Sequence, residues 1–353
     1  MMEFIRQQVL PMYGLADATL SPLGNGHINR TFLVQTDNRS IVLQNINTQV
    51  FKQPEVLIAN ALSVAGHLVR KKANNDYRLD VIKPILTVSG QAFLDFKEQG
   101  FWRAISFLPN SQTIEVVENQ SEAIMAASAF GHFAAALSDL SPELIDDVIP
   151  NFLDLPARIN QLKQAVSDNK ANRLTECQSW IELILQQAEL VTEIQDLETK
   201  LPLRICHNDT KINNMLFNTQ DMSSMAVIDL DTCMQGYLMY DFGDMVRAFC
   251  SPEAEDSAAL ENVIARPEII QAAAKTYIKE LDGVITPLEK HSLWVGLKAM
   301  ALMLGCRFLT DFINGDVYFA THRPNHNLDR AANQLTIFTS LLEQETHLKV
   351  FFE

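Results

Sequence analysis

The sequence pattern changes once, near residue 108, and this change limits the folds open to the chain. Before it, short runs rich in β-branched and aromatic residues alternate with Gly, Asn and Asp, which is typical of strands joined by turns. One helix is predicted to start near Pro54, because the apolar residues from Val56 to Val69 follow a helical period. We predict strands at 19–23, 31–36, 40–45, 81–86, 92–96 and 101–107.

Beyond residue 108 the pattern becomes helical, interrupted by short apolar runs at 203–206, 215–217 and 225–230 that predict an inserted β element. The length of 353 residues suits two lobes. We place them at 1–108 and 109–353, a small β lobe followed by a larger helical one. The predicted helices of the second lobe are 123–140, 152–168, 174–200, 267–281, 287–313 and 327–348.

Charge and cysteine content exclude several classes of protein. The net charge is −15, and without clustered Lys and Arg the chain is not expected to bind nucleic acid. Five cysteines without a Cys-x-x-Cys pair predict buried thiols in a reducing compartment. Residues 1–15 lack the pattern of a signal peptide, and the apolar stretch 123–137 is too short to span a bilayer. We expect a cytoplasmic protein with no membrane partner.

The densest group of chemically active residues lies between two of the short apolar runs. Asp209, the amide Asn214 five residues later and Asp229 at the end of the next strand supply hard oxygen ligands of the kind that Mg²⁺ prefers. A carboxylate that does not bind the metal can accept a proton from an attacking hydroxyl group. Asp231 has three open roles, since it could bind metal, contact the substrate or brace the loop.

The run His-x-Asp-x-x-x-x-Asn at 207–214, followed by Ile-Asp at 228–229, resembles the catalytic and metal-binding loops of protein-kinase-like phosphotransferases of the aminoglycoside and choline kinase branch. Within that branch the chain is similar to the N-acetylhexosamine 1-kinases, in the segments 24–33, 43–51, 207–217, 228–232, 240–247 and 307–319. The resemblance implies a bilobal α+β fold, with a small antiparallel β lobe and a larger, mostly helical lobe.

The resemblance also implies roles for individual residues. Asp209 matches the catalytic base, which contacts the substrate, while Asn214 and Asp229 match the two ligands of Mg²⁺. Asp241-Phe242-Gly243 spells the metal triplet of protein kinases, but it lies 27 residues after Asn214 and is interpreted as structural. His207 is interpreted as a support of the loop rather than as a base.

The glycine-containing turn between the first two predicted strands is a candidate phosphate loop. Gly24, Asn25 and Gly26 can bring backbone N–H groups close to phosphate, although a plain hairpin turn has the same sequence. Beside a kinase-like catalytic loop, the nucleotide interpretation is favoured. His27 is placed to reach the triphosphate or the acceptor.

The third strand departs from the family pattern. Gln44 stands where these kinases carry a lysine that contacts the nucleotide phosphates, and Glu55 or Asn60 on the following helix is a candidate partner for it. The adenine is expected where the lobes meet, beside Phe107 and Leu108.

For the acceptor, the resemblance points to the end of the long helix 287–313, where Arg307, Asp311 and Tyr318 are expected to contact the sugar. We predict an ATP-dependent kinase that phosphorylates the anomeric hydroxyl of N-acetylglucosamine or N-acetylgalactosamine, acting as a monomer or homodimer. The alternatives are a homoserine, choline, methylthioribose or aminoglycoside kinase, or a catalytically dead nucleotide-binding module.

Overall fold

The first lobe is built on an antiparallel sheet. A computed structural model describes residues 1–24 and 29–353 of the chain. The strands of this part of the chain are β1 Thr19–Pro22, β2 Arg30–Gln35, β3 Ser40–Ile46, β4 Asp80–Val81, β5 Pro84–Ile85, β6 Leu94–Asp95 and β7 Phe101–Ser106. Within the described residues the sheet has the order β1-β2-β3-β7-β5, with β6 also pairing with β7. The predicted antiparallel sheet is therefore confirmed. Asn25, Gly26 and His27 of the candidate phosphate loop lie outside the described residues.

An N-terminal segment covers one face of this sheet. Residues 2–13 form successive helical turns, and their apolar side chains pack against Phe32 and Trp102 in a small core of their own. The sequence did not predict this element because irregular turns of a few residues do not produce a sustained helical period.

The second lobe is mostly helical, as predicted. Its helices are α2 Gln120–Leu137, α3 Leu155–Asp168, α4 Gln178–Leu185, α5 Ala188–Glu198, α6 Leu238–Phe249, α7 Pro267–Glu280, α8 Pro287–Asn314, α9 His326–Glu343 and α10 Glu345–Leu348, after α1 Pro54–Ala73 in the first part of the chain. The predicted helix at 174–200 is two helices, α4 and α5, and α6 was not predicted.

The long helix α8 is the centre of the second lobe. Thr286 begins it with a capping box closed by Glu289, and Gly315, at a φ of 96°, ends it in the left-handed conformation that glycine adopts most readily. Its length and composition would allow it to cross a membrane, but 89% of its most apolar window is buried inside the protein. The helix is therefore accounted for as the core of this lobe.

The inserted β element brings the chemically active loops together. Its strands are β8 Ser111–Gln112, β9 Arg204–Cys206, β10 Met215–Asn218, β11 Ser224–Val227 and β12 Met234–Gly236. They form the sheets β4-β11-β10-β8 and β12-β9. The catalytic motif leads from β9 into β10, and Asp229 follows β11, the antiparallel neighbour of β10, by two residues.

Helix α1 ties the two parts of the chain to each other. The side-chain amide of Asn60 donates to the carbonyls of Asp146 (2.7 Å) and Cys233 (3.1 Å), and Nε2 of His67 lies 3.0 Å from the carbonyl of Ala136. The strand that follows the helix, β4, pairs with β11 in parallel. The helix and β4 are thus fixed to the second lobe although they precede residue 108.

Candidate active site

A buried carboxylate on α6 holds the catalytic loop. Asp241 accepts hydrogen bonds from the backbone N–H groups of His207 (2.8 Å) and Asn208 (2.7 Å). Burial raises the pKa of Asp241 to about 6, against the lowering effect of His207 and of these two bonds. Both oxygens are engaged by the loop, which confirms the structural interpretation of Asp241.

His207 joins the catalytic loop to the metal-binding loop. Its Nδ1 accepts from the backbone N–H of Asp209 (3.3 Å), so Nε2 carries the proton and donates to the carbonyl of Ile228 (2.8 Å). Its ring packs edge-on against Phe130 and Phe133. Both ring nitrogens are occupied within the protein, which confirms the supporting role predicted for this histidine.

Asp209 and Asn214 are held together with one open oxygen each. The amide nitrogen of Asn214 donates to the carbonyl of Asp209 (2.8 Å) and to its Oδ2 (3.0 Å). The amide oxygen of Asn214 therefore points away from this contact. For Asp209 Oδ1, the neighbouring cation is Nζ of Lys211, 3.9 Å away. The pair exposes a carboxylate oxygen and an amide oxygen to the cleft.

Asp229 has the backbone conformation of a constrained site residue. Its φ and ψ are both 59°, and Asn208 on the catalytic loop is also left-handed, with a φ of 62°. Residues other than glycine rarely adopt this region, and such positions cluster at functional sites. The carboxylate of Asp229 reaches solvent, but protein crowds it on its other sides. This desolvation, together with the charges of Asp231 and Asp209, raises the pKa of Asp229.

The donor set fits Mg²⁺. Asn214 offers an amide oxygen and Asp229 a carboxylate, both hard ligands, and Mg²⁺ commonly takes only one or two carboxylates and fills its remaining positions with water and phosphate. Within residues 1–24 and 29–353 no group of three His, Cys, Asp or Glu side chains forms a closed metal cage. An open site of this kind, rather than a structural cage, is what the two loops provide.

Asp231 braces the two lobes. Its side chain is 2% exposed and accepts hydrogen bonds from the guanidinium of Arg103 on β7 and from the amide of Asn29 (2.7 Å). Of the three roles left open by the sequence, this geometry favours the brace. Its predicted contact with substrate is revised accordingly, because both carboxylate oxygens already have donors.

Gln44 is part of the same network. Its Oε1 accepts from Nε of Arg103 (2.9 Å), and its amide nitrogen lies 3.4 Å from the hydroxyl of Thr31. Neither Glu55 nor Asn60 partners it, because Glu55 is exposed and Asn60 is bonded to the second lobe. Sequence reasoning missed Arg103, and the only pattern that could have found it is the pairing of β3 with β7, which places the two residues opposite each other.

The remaining nucleotide positions are described only in part. Gly24, at a φ of 70°, follows β1 and lies in open space. Phe107 and Leu108 are half-buried at the end of β7, and Leu108 lines a cavity of about 290 Å³ together with Ser106 and residues of α1, β4 and the segment after it. Nucleotide contacts at these three positions remain predictions.

Arg307 and Tyr318 come together at the end of α8, whereas Asp311 faces elsewhere. The guanidinium carbon of Arg307 lies 5.3 Å from the ring centre of Phe152, 5.4 Å from that of Phe319 and 6.0 Å from that of Tyr318. These distances are in the range of cation–π contacts. In the described part of the chain Arg307 makes no ion pair.

Asp311 holds the loop that carries Tyr318. Its carboxylate accepts from the backbone N–H groups of Val317 (3.0 Å), Tyr318 (2.8 Å) and Phe319 (2.9 Å) and from the amide of Asn327 (2.9 Å). The side chain is buried and both oxygens are occupied. Its predicted contact with the acceptor is therefore revised to a role in positioning the loop.

A line of charges connects the catalytic loop with this end of α8. Arg247 is fully buried and pairs with Asp244 (2.6 Å) and Glu255. Burial opposes the charge of Lys211, but the carboxylates of Glu255 and Asp209 outweigh it and raise its pKa. Arg330 lies over the ring of Phe308, which packs at an angle of 51° against Phe319 beside Arg307. These contacts link the neighbourhood of Asp209 to that of Arg307.

Comparison with known proteins decides what these loops belong to. Residues 19–274, more than half of the chain, match the model of the phosphotransferase enzyme family. The chain belongs to the phosphotransferase enzyme family. The match includes the sheet of the first lobe, the catalytic loop and the metal-binding loop of this phosphotransferase.

Solved structures share the fold of this phosphotransferase along nearly its whole length. A microcompartment-associated aminopropanol kinase is 17% identical, with a TM-score of 0.63, and the match covers 98% of each chain. An ethanolamine kinase of Plasmodium vivax is 14% identical, with a TM-score of 0.60, covering 94% of this chain and 87% of that one. A spectinomycin phosphotransferase in complex with ADP and spectinomycin is 10% identical, with a TM-score of 0.54, covering 95% and 98%. The fold is that of the small-molecule kinases, in agreement with the bilobal prediction.

Proposed function

We propose that this phosphotransferase transfers the γ-phosphoryl group of ATP to the anomeric hydroxyl of an N-acetylhexosamine, N-acetylglucosamine or N-acetylgalactosamine, and works in the cytoplasm. The use of ATP is supported by the ADP named with one neighbour and by the two open oxygens at Asn214 and Asp229. These two residues would hold Mg²⁺, which neutralises phosphate charge when bound.

Asp209 is proposed as the base. Its Oδ2 is fixed by Asn214, so Oδ1 is the oxygen free to take the proton of the attacking hydroxyl. As the new oxygen–phosphorus bond forms, the bond from the γ-phosphorus to the β–γ bridging oxygen breaks and ADP leaves. Lys211, 3.9 Å from Asp209, supplies positive charge beside the reacting groups. Positioning and charge neutralisation provide most of the rate in such transfers.

The surroundings of Arg307 favour a neutral acceptor over a cationic one. A pocket for choline or another quaternary amine uses aromatic rings to bind the cation of the ligand. Here three rings, those of Phe152, Tyr318 and Phe319, already surround a guanidinium of the protein itself. A cationic acceptor would meet like charge there, whereas a neutral sugar offers hydroxyl and amide oxygens that accept from arginine.

An amino alcohol is the second candidate. It is favoured by the amino-alcohol kinases among the structural neighbours and by two carboxylates near the catalytic loop, Asp244 and Glu255. Both carboxylates, however, pair with Arg247, so little negative charge is left for an ammonium group.

A panel of acceptors tests the proposal. The purified protein is incubated with Mg·ATP and either the two N-acetylhexosamines, their methyl glycosides, glucose, ethanolamine, choline or aminopropanol, and ADP release is followed. We expect turnover of the N-acetylhexosamines, poorer use of glucose and none of the methyl glycosides, because the methyl group removes the transferable proton. Phosphorus NMR should place the phosphate on the anomeric oxygen.

Each other outcome is informative. Phosphate on the 6-hydroxyl, or turnover of a methyl glycoside, would reject the 1-kinase proposal and leave a sugar kinase. Turnover of an amino alcohol alone would reject the sugar. Turnover of nothing, in protein that binds ADP, would favour the dead module.

A further inference from the structure

Arg103 is a buried cation on the side of the first sheet that faces the second lobe. It is 4% exposed and lies on β7, directly opposite Gln44 of β3. We propose that Arg103 contacts the nucleotide phosphates in place of the lysine that related kinases carry at the position of Gln44. The inference rests on the proposed use of ATP, but not on the identity of the acceptor.

The first argument is the face of the sheet. Leu43 and Trp102 point to the small core beneath the N-terminal segment. Because side chains alternate along a strand, the neighbouring residues Gln44 and Arg103 point to the opposite face, toward the second lobe. Arg103 reaches Asp231 there, which shows that its guanidinium lies at the metal-binding loop.

The second argument is the number of donors. A guanidinium carries five N–H groups. Arg103 uses one on Nε for Gln44 and one on Nη2 for Asp231, which leaves three without a protein acceptor among the described residues. Nη1 of Arg103 is not among the fully enclosed unpaired polar atoms of the described residues, so a ligand can reach it, and a planar group with donors to spare matches the oxygens of a phosphate.

The third argument explains Gln44 itself. A lysine at this position would place a second cation against Arg103, whereas the amide oxygen of glutamine accepts from Nε and fixes the plane of the guanidinium. Gln44 therefore suits a site in which the cation is Arg103 on β7 instead of a lysine on β3. The basic residues that flank β3, Arg39 and Lys52, are both exposed and do not compete for the role.

Binding of ADP and adenosine in the absence of metal tests the proposal, because it isolates contacts between protein and phosphate. By calorimetry in EDTA, Arg103→Gln should lose roughly 10- to 100-fold in ADP affinity, the worth of one or two charge-assisted hydrogen bonds, and bind adenosine as the wild type does. Arg103→Lys should lose less. Arg39→Gln is the matched control and should bind both as the wild type does.

A second pair of variants guards against a folding defect, since removing Arg103 alone leaves the charge of Asp231 buried and unpaired. Asp231→Asn should keep the ADP affinity, because Arg103 remains bonded to Gln44. The double variant Arg103→Gln/Asp231→Asn carries no unpaired charge and should lose ADP affinity like the single Arg103→Gln.

The results separate this inference from the proposed function. A wild-type protein that binds neither ADP nor adenosine, with or without Mg²⁺, would overturn the use of ATP. Wild-type binding combined with an unchanged ADP affinity in Arg103→Gln or in the double variant would overturn the role of Arg103 alone. An equal loss in Asp231→Asn would also overturn it, because the phosphate site would then depend on Asp231.

Discussion

The catalytic loops keep carboxylate oxygens open, whereas the C-terminal end of α8, where we propose that the acceptor binds, keeps a cation without a counter-ion among the described residues. At the catalytic loops, both carboxylate oxygens of Asp241 accept hydrogen bonds from backbone N–H groups, while Asp209 and Asp229 keep open oxygens. At the end of α8 the carboxylate of Asp311 is used up by three backbone N–H groups and an amide, and it is Arg307 that has no counter-ion among the described residues.

The difference teaches that an aspartate in a functional segment need not be a functional aspartate. Where a carboxylate receives successive backbone N–H groups, it fixes a loop, and the neighbouring residue whose charge is left over is the one available to a ligand. At one end this residue suits a metal ion and a proton. At the other it suits a neutral or anionic group.

The largest effect is expected from a substitution that removes the open carboxylate of the catalytic loop. Asp209→Asn keeps an oxygen for Asn214 but cannot take a proton, so kcat should fall roughly 10²- to 10⁴-fold while ADP affinity is unchanged. Steady-state kinetics and calorimetry measure the two quantities. Asp221→Asn, at an exposed turn, is the control. Turnover near that of the wild type would show that Asp209 is not the base.

The second prediction compares Asp229, whose carboxylate is open, with Asp241, whose carboxylate is bonded to the backbone. Asp229→Asn should lower the Mg²⁺-dependent part of ADP affinity by at least roughly 10- to 100-fold, the loss typical of changing even a residue that only supports a metal ligand. Asp241→Asn should leave that part unchanged and lower the stability of the protein. If the two variants exchange these phenotypes, the metal role belongs to Asp241.

At the acceptor end we expect a smaller effect that is confined to the acceptor. Arg307→Met keeps the contact with the aromatic rings but removes the charge, so the KM for the acceptor should rise about tenfold and ADP affinity should not change. Arg70→Met, on the exposed side of α1, is the control. An unchanged KM would place the acceptor away from Arg307.

The charges between the two regions give the smallest effect, on stability. Burial opposes ionisation of Glu255, but the cations Lys211 and Arg247 outweigh it and lower its pKa from 4.5 to about 2. A lowered pKa contributes stability above pH 4.5 that is lost as the pH falls toward 2. Glu255→Gln should therefore cost roughly 1–3 kcal/mol at pH 7 and progressively less below pH 4.5.

Urea unfolding at pH 7, 5, 4 and 3 measures this difference, with the exposed Glu261→Gln as the control. A cost that is the same at pH 7 and at pH 3 would show that the charge of Glu255 does not contribute to folding.

The sequence predicted what is encoded locally. The helices with a clear apolar stripe and the loop from His207 to Asn214 lie within short stretches, so their patterns are visible in one dimension. Helix α6 was not predicted although its polar residues Asp241, Asp244 and Arg247 recur at helical spacing; in the structure these residues are buried together with the apolar ones.

Features that depend on distant pairing were not predictable in this way. Arg103 and Gln44 are 59 positions apart, and only the register of β3 and β7 places them together. In the same way, Asp311 is bonded by the loop that follows α8, after the helix has ended. The helical spacing of Arg307 and Asp311 does not indicate which of the two side chains is bonded within the protein.

The attachment of α1 to the second lobe has a consequence for control of the enzyme. In regulated protein kinases the corresponding helix moves to make or break the contact with the strand lysine, and this motion switches activity. Here Asn60 and His67 fasten the helix to the larger lobe, and the cation of the cleft comes from β7, so no swing of the helix is needed to assemble the site. If Arg103 binds the nucleotide phosphates as proposed, we do not expect movement of this helix to control the activity.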